Sequence, residues 1–443
     1  MNKTNLKSFK IVGLFDKKDF YVEFDDLVKI LISENGGGKT TILNIIVNFF
    51  RGNIGALRSL PFREIEVWLK DKSYYSVSKE VFLKRKFFEQ RIIREIRKVC
   101  MEYDLEYSLI KEITNLYENT FDIKLILTEL KKNKVSNMML SRIERMYDFY
   151  SRNYSEEEEE EERKKYREFL KKINFSVEYF PTYRRIEKRF ITEEGGIFDS
   201  EINFGMDDVE KLINGLTEKI KSNTVKLFSE MNKEIIYELI NDDKKISSCE
   251  TKKLISNSNI EIVLNRIQDS NDERNLKDLL DKKLNFTDSE GKFLGYYLLK
   301  INSIYEKQEK NENKINNFIE VCNSYLFNKK FIYLAKETKV ILKDEENKKI
   351  NLSDLSSGEK QIVSLFSKLY LGDKNNLMIV IDEPELSISI LWQKKILVDI
   401  VKSGKCSLLL TTTHSPFIFD NEFDDCAHSL NEYFTLTKKG DLK

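Results

Sequence analysis

A chain of 443 residues exceeds one ordinary domain and predicts a core that carries an inserted domain. Lys and Arg total 74 and Asp and Glu total 74, so the net charge is zero; this excludes whole-molecule attraction to nucleic acid or acidic membrane and leaves only local patches. Five scattered cysteines without a CxxC pair read as reduced thiols of a cytoplasmic protein, and neither a signal peptide nor an apolar run of roughly 20 residues is present, so no membrane partner is expected.

Phe9–Phe24 alternates apolar and polar residues about a turn at Asp16–Asp19, which predicts a β-hairpin. The apolar run Val28–Ile32 then enters LISENGGGKTTILNII (Leu31–Ile46), where Ile42, Leu43, Ile45 and Ile46 follow at helical spacing. Strand, glycine-rich turn and helix make the setting of a phosphate-binding loop. Gly36, Gly37 and Gly38 let backbone N–H groups converge on an anion, and the start of the helix adds its dipole. Lys39 can reach the β- and γ-phosphates of ATP, and Thr40 can place a hydroxyl on Mg²⁺. Asn35 and Thr41 complete this candidate nucleotide-binding set. Ser33 stands where the GxxxxGK[ST] pattern has its first glycine.

Ile65, Val67 and Leu69, followed by YYSVS, predict a second hairpin, so residues 1–78 read as one half of a nucleotide-binding core. From 79 to 325 the pattern is mainly helical. No proline falls between Pro61 and Pro181, and Leu105, Leu109, Ile113 and Leu116 step by three and four. Seven glutamates, Glu156–Glu162, precede RKKYREFLKKI and read as a solvated helix face. Two arms of ~45 residues predict a short coiled coil reaching about 65–70 Å. A return strand is expected near 177–181, with basic Arg184 and Arg185 just beyond it as candidates for coupling to nucleotide, a partner or DNA. FGMDDVEK starts a further helix with Asp207 and Asp208 in its first turn, and loops are expected near Asn241–Ser258 and Asp288–Gly291. Residues 326–443 return to β structure and hold the remaining motifs.

Three of those motifs carry chemistry. LMIVIDEPE (Leu377–Glu385) is a buried strand ending in an acidic pair, with Asp382 placed to hold Mg²⁺ and Glu383 placed to activate a water. LSSGEKQ (Leu355–Gln361) is a helix N-terminus with a capping pattern, and LLLTTTHSP (Leu408–Pro416) is a second buried strand followed by His414.

With these motifs assembled, the chain resembles the ABC-type ATPases of the SMC and RecF branch. The resemblance implies an α/β P-loop head assembled from both chain ends, with an antiparallel β lobe and a mainly helical insertion. LSSGEKQ is similar to the LSGGQ signature, which caps the γ-phosphate held by another subunit; Ser356, Ser357, Gly358 and Glu359 are the residues so implied. His414 lies where that family keeps its switch histidine, and a homodimer or higher homo-oligomer follows. The family's coupling glutamine is not identifiable. YFPTYRRIE, FGMDDVE, LSSGEKQIVSLFSKLYL and THSPFIFDNE resemble the stand-alone ATPases of bacterial anti-phage systems, AriA of PARIS and PtuA of Septu and retrons. These hold a separately encoded TOPRIM or HNH nuclease that a phage product triggers. With about 30 residues after His414, the nuclease is expected in trans. A RecF-like repair ATPase that binds DNA, suggested by Lys84–Lys98, and an ATP-bound scaffold with little turnover are the alternative readings.

Overall fold

The alternating N-terminal segment folds as expected: β1 (Leu6–Leu14) and β2 (Lys18–Glu23) pair antiparallel across a turn in which Phe15 and Asp16 have positive φ. The structure, a computed structural model, describes residues 4–34, 36–83, 86–102, 105–120, 123–133, 135–152, 157–181, 206–240, 257–267 and 289–436. β3 (Val28–Ile32) leads through the glycine-rich turn to α1 (Lys39–Arg51) and α2 (Ile54–Ser59). The second hairpin, β4 (Glu64–Leu69) and β5 (Tyr74–Ser78), joins the first through β1. Phe434–Leu436 pairs with β2 and completes a five-stranded antiparallel lobe.

Between 80 and 172 lie α3 (Glu80–Leu83), α4 (Lys86–Glu102), α5 (Tyr107–Thr120), α6 (Ile123–Lys132), α7 (Asn137–Arg152) and α8 (Glu157–Lys172). The sequence predicts two ~45-residue arms here; among the described residues the helices of this stretch run to at most 17 residues instead. The Leu105 N–H donates to the Cys100 carbonyl and the Val135 N–H to the Leu130 carbonyl, backward closures that end α4 and α6. The apolar stripe is thereby cut into pieces. Each piece buries its face locally (Ile96, Ile113, Ile126 and Ile143 are fully buried) rather than along a sustained heptad seam. α8 docks through aromatics: Tyr166 donates its hydroxyl to the Phe49 carbonyl of α1, at 2.5 Å, and Phe169 stacks on Tyr75 with ring centroids 4.6 Å apart. Partial burial of Tyr75, with the nearby Glu162 charge second, pushes its phenol well above the ordinary range.

β6 (Ser176–Phe180) is the expected return strand. It lies at one edge of a parallel sheet with β10 (Leu377–Asp382), β11 (Cys406–Thr413), β3 and β12 (Ala427–Ser429), in the order β12-β3-β11-β10-β6. Every residue of β10 and β11 is buried, as central parallel strands with both faces covered require.

A second group of elements comprises α9 (Asp207–Ile240), α10 (Asn257–Ile267), α11 (Ser289–Asn323), the antiparallel strands β7 (Lys329–Leu334), β8 (Lys339–Asp344) and β9 (Lys349–Ile350), and α12 (Ser357–Tyr370). The acidic first turn of α9 suits its dipole as predicted, whereas the loop expected at Asp288–Gly291 is taken over by the start of α11. α9 and α11 pack along each other with α10 against both, around Met231, Ile235, Ile260, Val263, Leu298 and Ile301. The buried Arg266 guanidinium, 2.6 Å from Glu312, also donates to the Ala335 carbonyl at 2.8 Å; this ties α10 and α11 to the end of β7.

The chain divides into one unit of Met1–Tyr183, Lys374–Leu386 and Gln393–Lys443 and another of Arg184–Asp373 and Ser387–Trp392. This differs from the expected 1–78, 79–325 and 326–443, because the helices between 80 and 172 share a core with the phosphate loop rather than with α9 and α11. Among the described residues no helix is long and apolar enough to cross a membrane.

Candidate functional site

The turn from β3 to α1 owes its shape to glycine. Gly36 (φ 83°) and Gly38 (φ 86°) occupy the left-handed region that a Cβ disfavours, and Gly38 caps α1 without a side-chain hydrogen bond. The first N–H groups of α1 therefore face the turn with no capping side chain, as an anion site needs. A Cβ on Gly37 would lie 2.2 Å from the hydroxyl of Ser33, so the departure from the usual motif is packed directly beneath the loop. Ser33 donates that hydroxyl to the Glu34 carbonyl at 2.9 Å. Asn35 lies outside the described residues, and Thr41 is half-buried on the first turn of α1.

Lys39, 6% exposed, extends from the first residue of α1 and donates to the Ser33 carbonyl at 3.1 Å. Its Nζ also meets Nε2 of His414 in a short hydrogen bond and lies 3.5 Å from Oε1 of Glu383. His414 Nε2 is 3.5 Å from the same carboxylate oxygen. Three residues from distant parts of the sequence thus converge where β3, β10 and β11 end side by side.

Asp382, 1% exposed at the end of β10, has both oxygens occupied: Thr40 donates to Oδ2 at 2.7 Å and Thr412 to Oδ1 at 2.5 Å. Glu383 follows with φ 52°, a strained value for a side chain with a Cβ, and its N–H donates to the Thr412 carbonyl at 3.0 Å. That turn separates the two carboxylates, directing one to Thr40 and the other to Lys39 and His414.

The sequence assigns no individual role to the residues that hold these groups. Thr412 is one. Glu385 and Gln393 are others: the His414 N–H donates to Oε1 of Glu385 at 2.7 Å, and Ser415 donates its hydroxyl to Oε1 of Gln393 at 2.7 Å. The signal for Thr412 lay in three hydroxyls ending a buried apolar strand, since buried hydroxyls need partners. Glu385 opens ELSIS (Glu385–Ser389), the segment that the resemblance places at the family's D-loop without individual roles, and Gln393 had no signal.

In the second unit Ser356 caps α12 in a complete capping box. The Glu359 N–H donates to the Ser356 hydroxyl at 3.4 Å, and the Ser356 N–H donates to the Glu359 carboxylate at 2.7 Å. Glu359 also pairs with Lys329 at 2.8 Å. Burial pushes its carboxyl up, but the hydrogen bonds from Lys329 and Ser356 and the lysine charge outweigh that and hold it below the usual carboxylate range. Ser356 and Ser357 are exposed at the helix start, while Glu359 is committed internally. Gly358 is buried, and a Cβ there would come within 2.2 Å of the Ser387 carbonyl oxygen. Arg184 and Arg185 lie outside the described residues.

The profile of the AAA ATPase domain matches residues 5–419. No curated protein matches the chain. Among solved structures the chain is similar to the Smc head domain with an extended coiled coil bound to the C-terminal domain of ScpA from Pyrococcus furiosus. Identity there is 13%, over 94% of this chain and 91% of that one, with a TM-score of 0.35. It is also similar to the Smc head domain with a coiled coil and joint from Pyrococcus yayanosii, at 14% identity over 94% and 93% with a TM-score of 0.33. TM-scores of that size add nothing to the assignment. With its profile running from the first strand past His414, the chain belongs to the AAA ATPase domain family.

Proposed function

We propose that the chain is an ATP-binding and ATP-hydrolysing switch that dimerises around nucleotide and, in an anti-phage defence complex, controls a separately encoded TOPRIM or HNH nuclease. The observation that carries the ATPase part is the convergence of Lys39, Glu383 and His414 within 3.5 Å beside the Thr40–Asp382 pair.

The residues fit both ATP and Mg²⁺. The loop's left-handed glycines suit phosphate oxygens, and the Thr40 hydroxyl and Asp382 carboxylate form a hard-oxygen donor pair held from behind by Thr412. Mg²⁺ held by Thr40 and Asp382 would neutralise charge on the terminal phosphates. Lys39 would leave Glu383 for the β- and γ-phosphates. Glu383 Oε1, freed of its lysine, would orient the attacking water and accept its proton, and His414 would donate to the γ-phosphate. Ser356 and Ser357, at the start of α12, would offer their hydroxyls and the Ser357 N–H to the nucleotide of a second copy.

The defence role rests on the sequence resemblance, with the effector and its phage trigger supplied by other chains. Steady-state ATP hydrolysis with and without DNA, together with co-purification against candidate TOPRIM and HNH partners, tests the reading. Turnover that rises steeply on DNA, with no nuclease retained, would replace it with a RecF-like repair ATPase. Binding with negligible turnover would leave a nucleotide-dependent scaffold.

A further inference from the structure

His414 is the first residue after β11, so no strand partner holds its peptide. Its N–H donates instead to Oε1 of Glu385, at 2.7 Å. Glu385 is itself placed by the turn that carries Glu383: the Leu386 N–H donates to the Glu383 carbonyl at 3.3 Å, and Gln393 donates its amide to the Glu385 carbonyl at 3.4 Å. The other end of that amide accepts the hydroxyl of Ser415, the neighbour of His414. Glu385 and Gln393 therefore grip the histidine segment at two successive residues. The second carboxylate oxygen of Glu385, Oε2, is buried and without a hydrogen-bond partner among the described residues. A carboxylate kept in that setting with one oxygen unused is costly, and the bond to His414 is the benefit on display.

We propose that Glu385 is a positioning residue for His414. It fixes the peptide from which the imidazole reaches Lys39 and Glu383, and it does so from the turn that carries Glu383. Base and sensor then move as one piece. A displacement of the 383–386 turn shifts the histidine as well, and misplacement of a reacting group by about 1 Å costs on the order of 10²-fold in rate. This inference rests on the ATPase reading above, but its first test does not.

The chain has two histidines, His414 and His428, so the ring signals of histidine-labelled protein can be assigned by a single His428→Gln variant. At fixed pH, without nucleotide, Glu385→Ala is expected to move the His414 ring signals and leave those of His428 in place. Glu385→Gln, whose amide oxygen still accepts the N–H, is expected to leave both near their wild-type positions. Unmoved His414 signals in a folded Glu385→Ala variant would overturn the proposal, whatever the enzyme's activity. Signals that move for both histidines would overturn it equally, by showing general disruption; if the alanine variant fails to fold, a folded Glu385→Leu variant, which keeps bulk and removes the acceptor, must move the His414 signals alone, and unmoved signals there would overturn the proposal. In steady-state kinetics Glu385→Ala is expected to lower kcat about ten- to hundredfold with the Kd for ATP changed less than about threefold, and to cause no further loss in a His414→Ala background. Losses that multiply in the double variant would also reject the coupling. A wild-type protein that binds ATP without hydrolysing it would instead reject the ATPase reading and leave the magnetic-resonance result standing.

Discussion

Lys39 Nζ lies 3.5 Å from Glu383 Oε1, so the group proposed to reach for phosphate and the group proposed to activate water are paired with each other in the structure. With Lys39 only 6% exposed, this is a shielded contact, stronger than an ion pair at the surface. In the proposed reading nucleotide would break this pair to engage both residues, which would link water activation to phosphate arrival.

From that pairing, Lys39→Ala is expected to weaken ATP binding at least about 100-fold by equilibrium titration. Glu383→Gln is expected to keep binding, lower turnover by about 10²–10³-fold and hold an ATP-joined dimer. Light scattering of Glu383→Gln with saturating ATP and Mg²⁺ checks the last point; a mass that stays monomeric would contradict the dimer.

Thr412 supports Asp382 from β11. Thr412→Val keeps shape and removes the hydroxyl, and it is expected to raise the Mg²⁺ needed for half-maximal ATP binding by about ten- to hundredfold. Thr412→Ser should restore most of it. A magnesium titration of nucleotide binding reads both, and an unchanged midpoint in the valine variant would show that Thr40 suffices.

Gly358 packs its α-carbon against the Ser387 carbonyl. Gly358→Ala forces one backbone to shift at a cost of roughly 1–3 kcal/mol, visible as a lower thermal midpoint. ATP binding at Lys39 is expected to survive while dimer formation drops. A variant as stable as the wild type would mean that the two segments separate freely.

Glu359 titrates below the ordinary carboxylate range, so its folded pKa is lowered relative to the unfolded chain. The stability it contributes is present above the ordinary carboxylate value and is lost as pH falls through the lowered one. Thermal unfolding from about pH 6 to about pH 3 should show Glu359→Gln less stable than wild type by roughly 1–2 kcal/mol at the upper end, with the gap closing on the acid side. Parallel curves would remove the carboxylate from the account.

The profile of local elements was readable because local rules dominate it. β10 and β11 announce themselves as apolar runs, α1 by its glycine turn and helical spacing, α9 by its acidic first turn and α12 by its capping pattern. Between 79 and 173 the sequence predicts two arms and the described helices are shorter, because apolar spacing reports a helix face but not where the helix stops. The backward closures at Leu105 and Val135 depend on φ and ψ choices that residue types only bias.

By itself the sequence determined the candidate residues, Lys39, Thr40, Asp382, Glu383 and His414, since each sits at a strand end or helix start defined by neighbours in the chain. Only the tertiary structure decided their partners. Parallel registry sets Thr412 opposite Asp382, and a positive φ turns Glu383 away from Asp382 toward Lys39. Glu385 was brought to the His414 peptide in the same way. Such pairings join residues far apart in sequence through the sheet, and no local pattern encodes which strand end lies beside which.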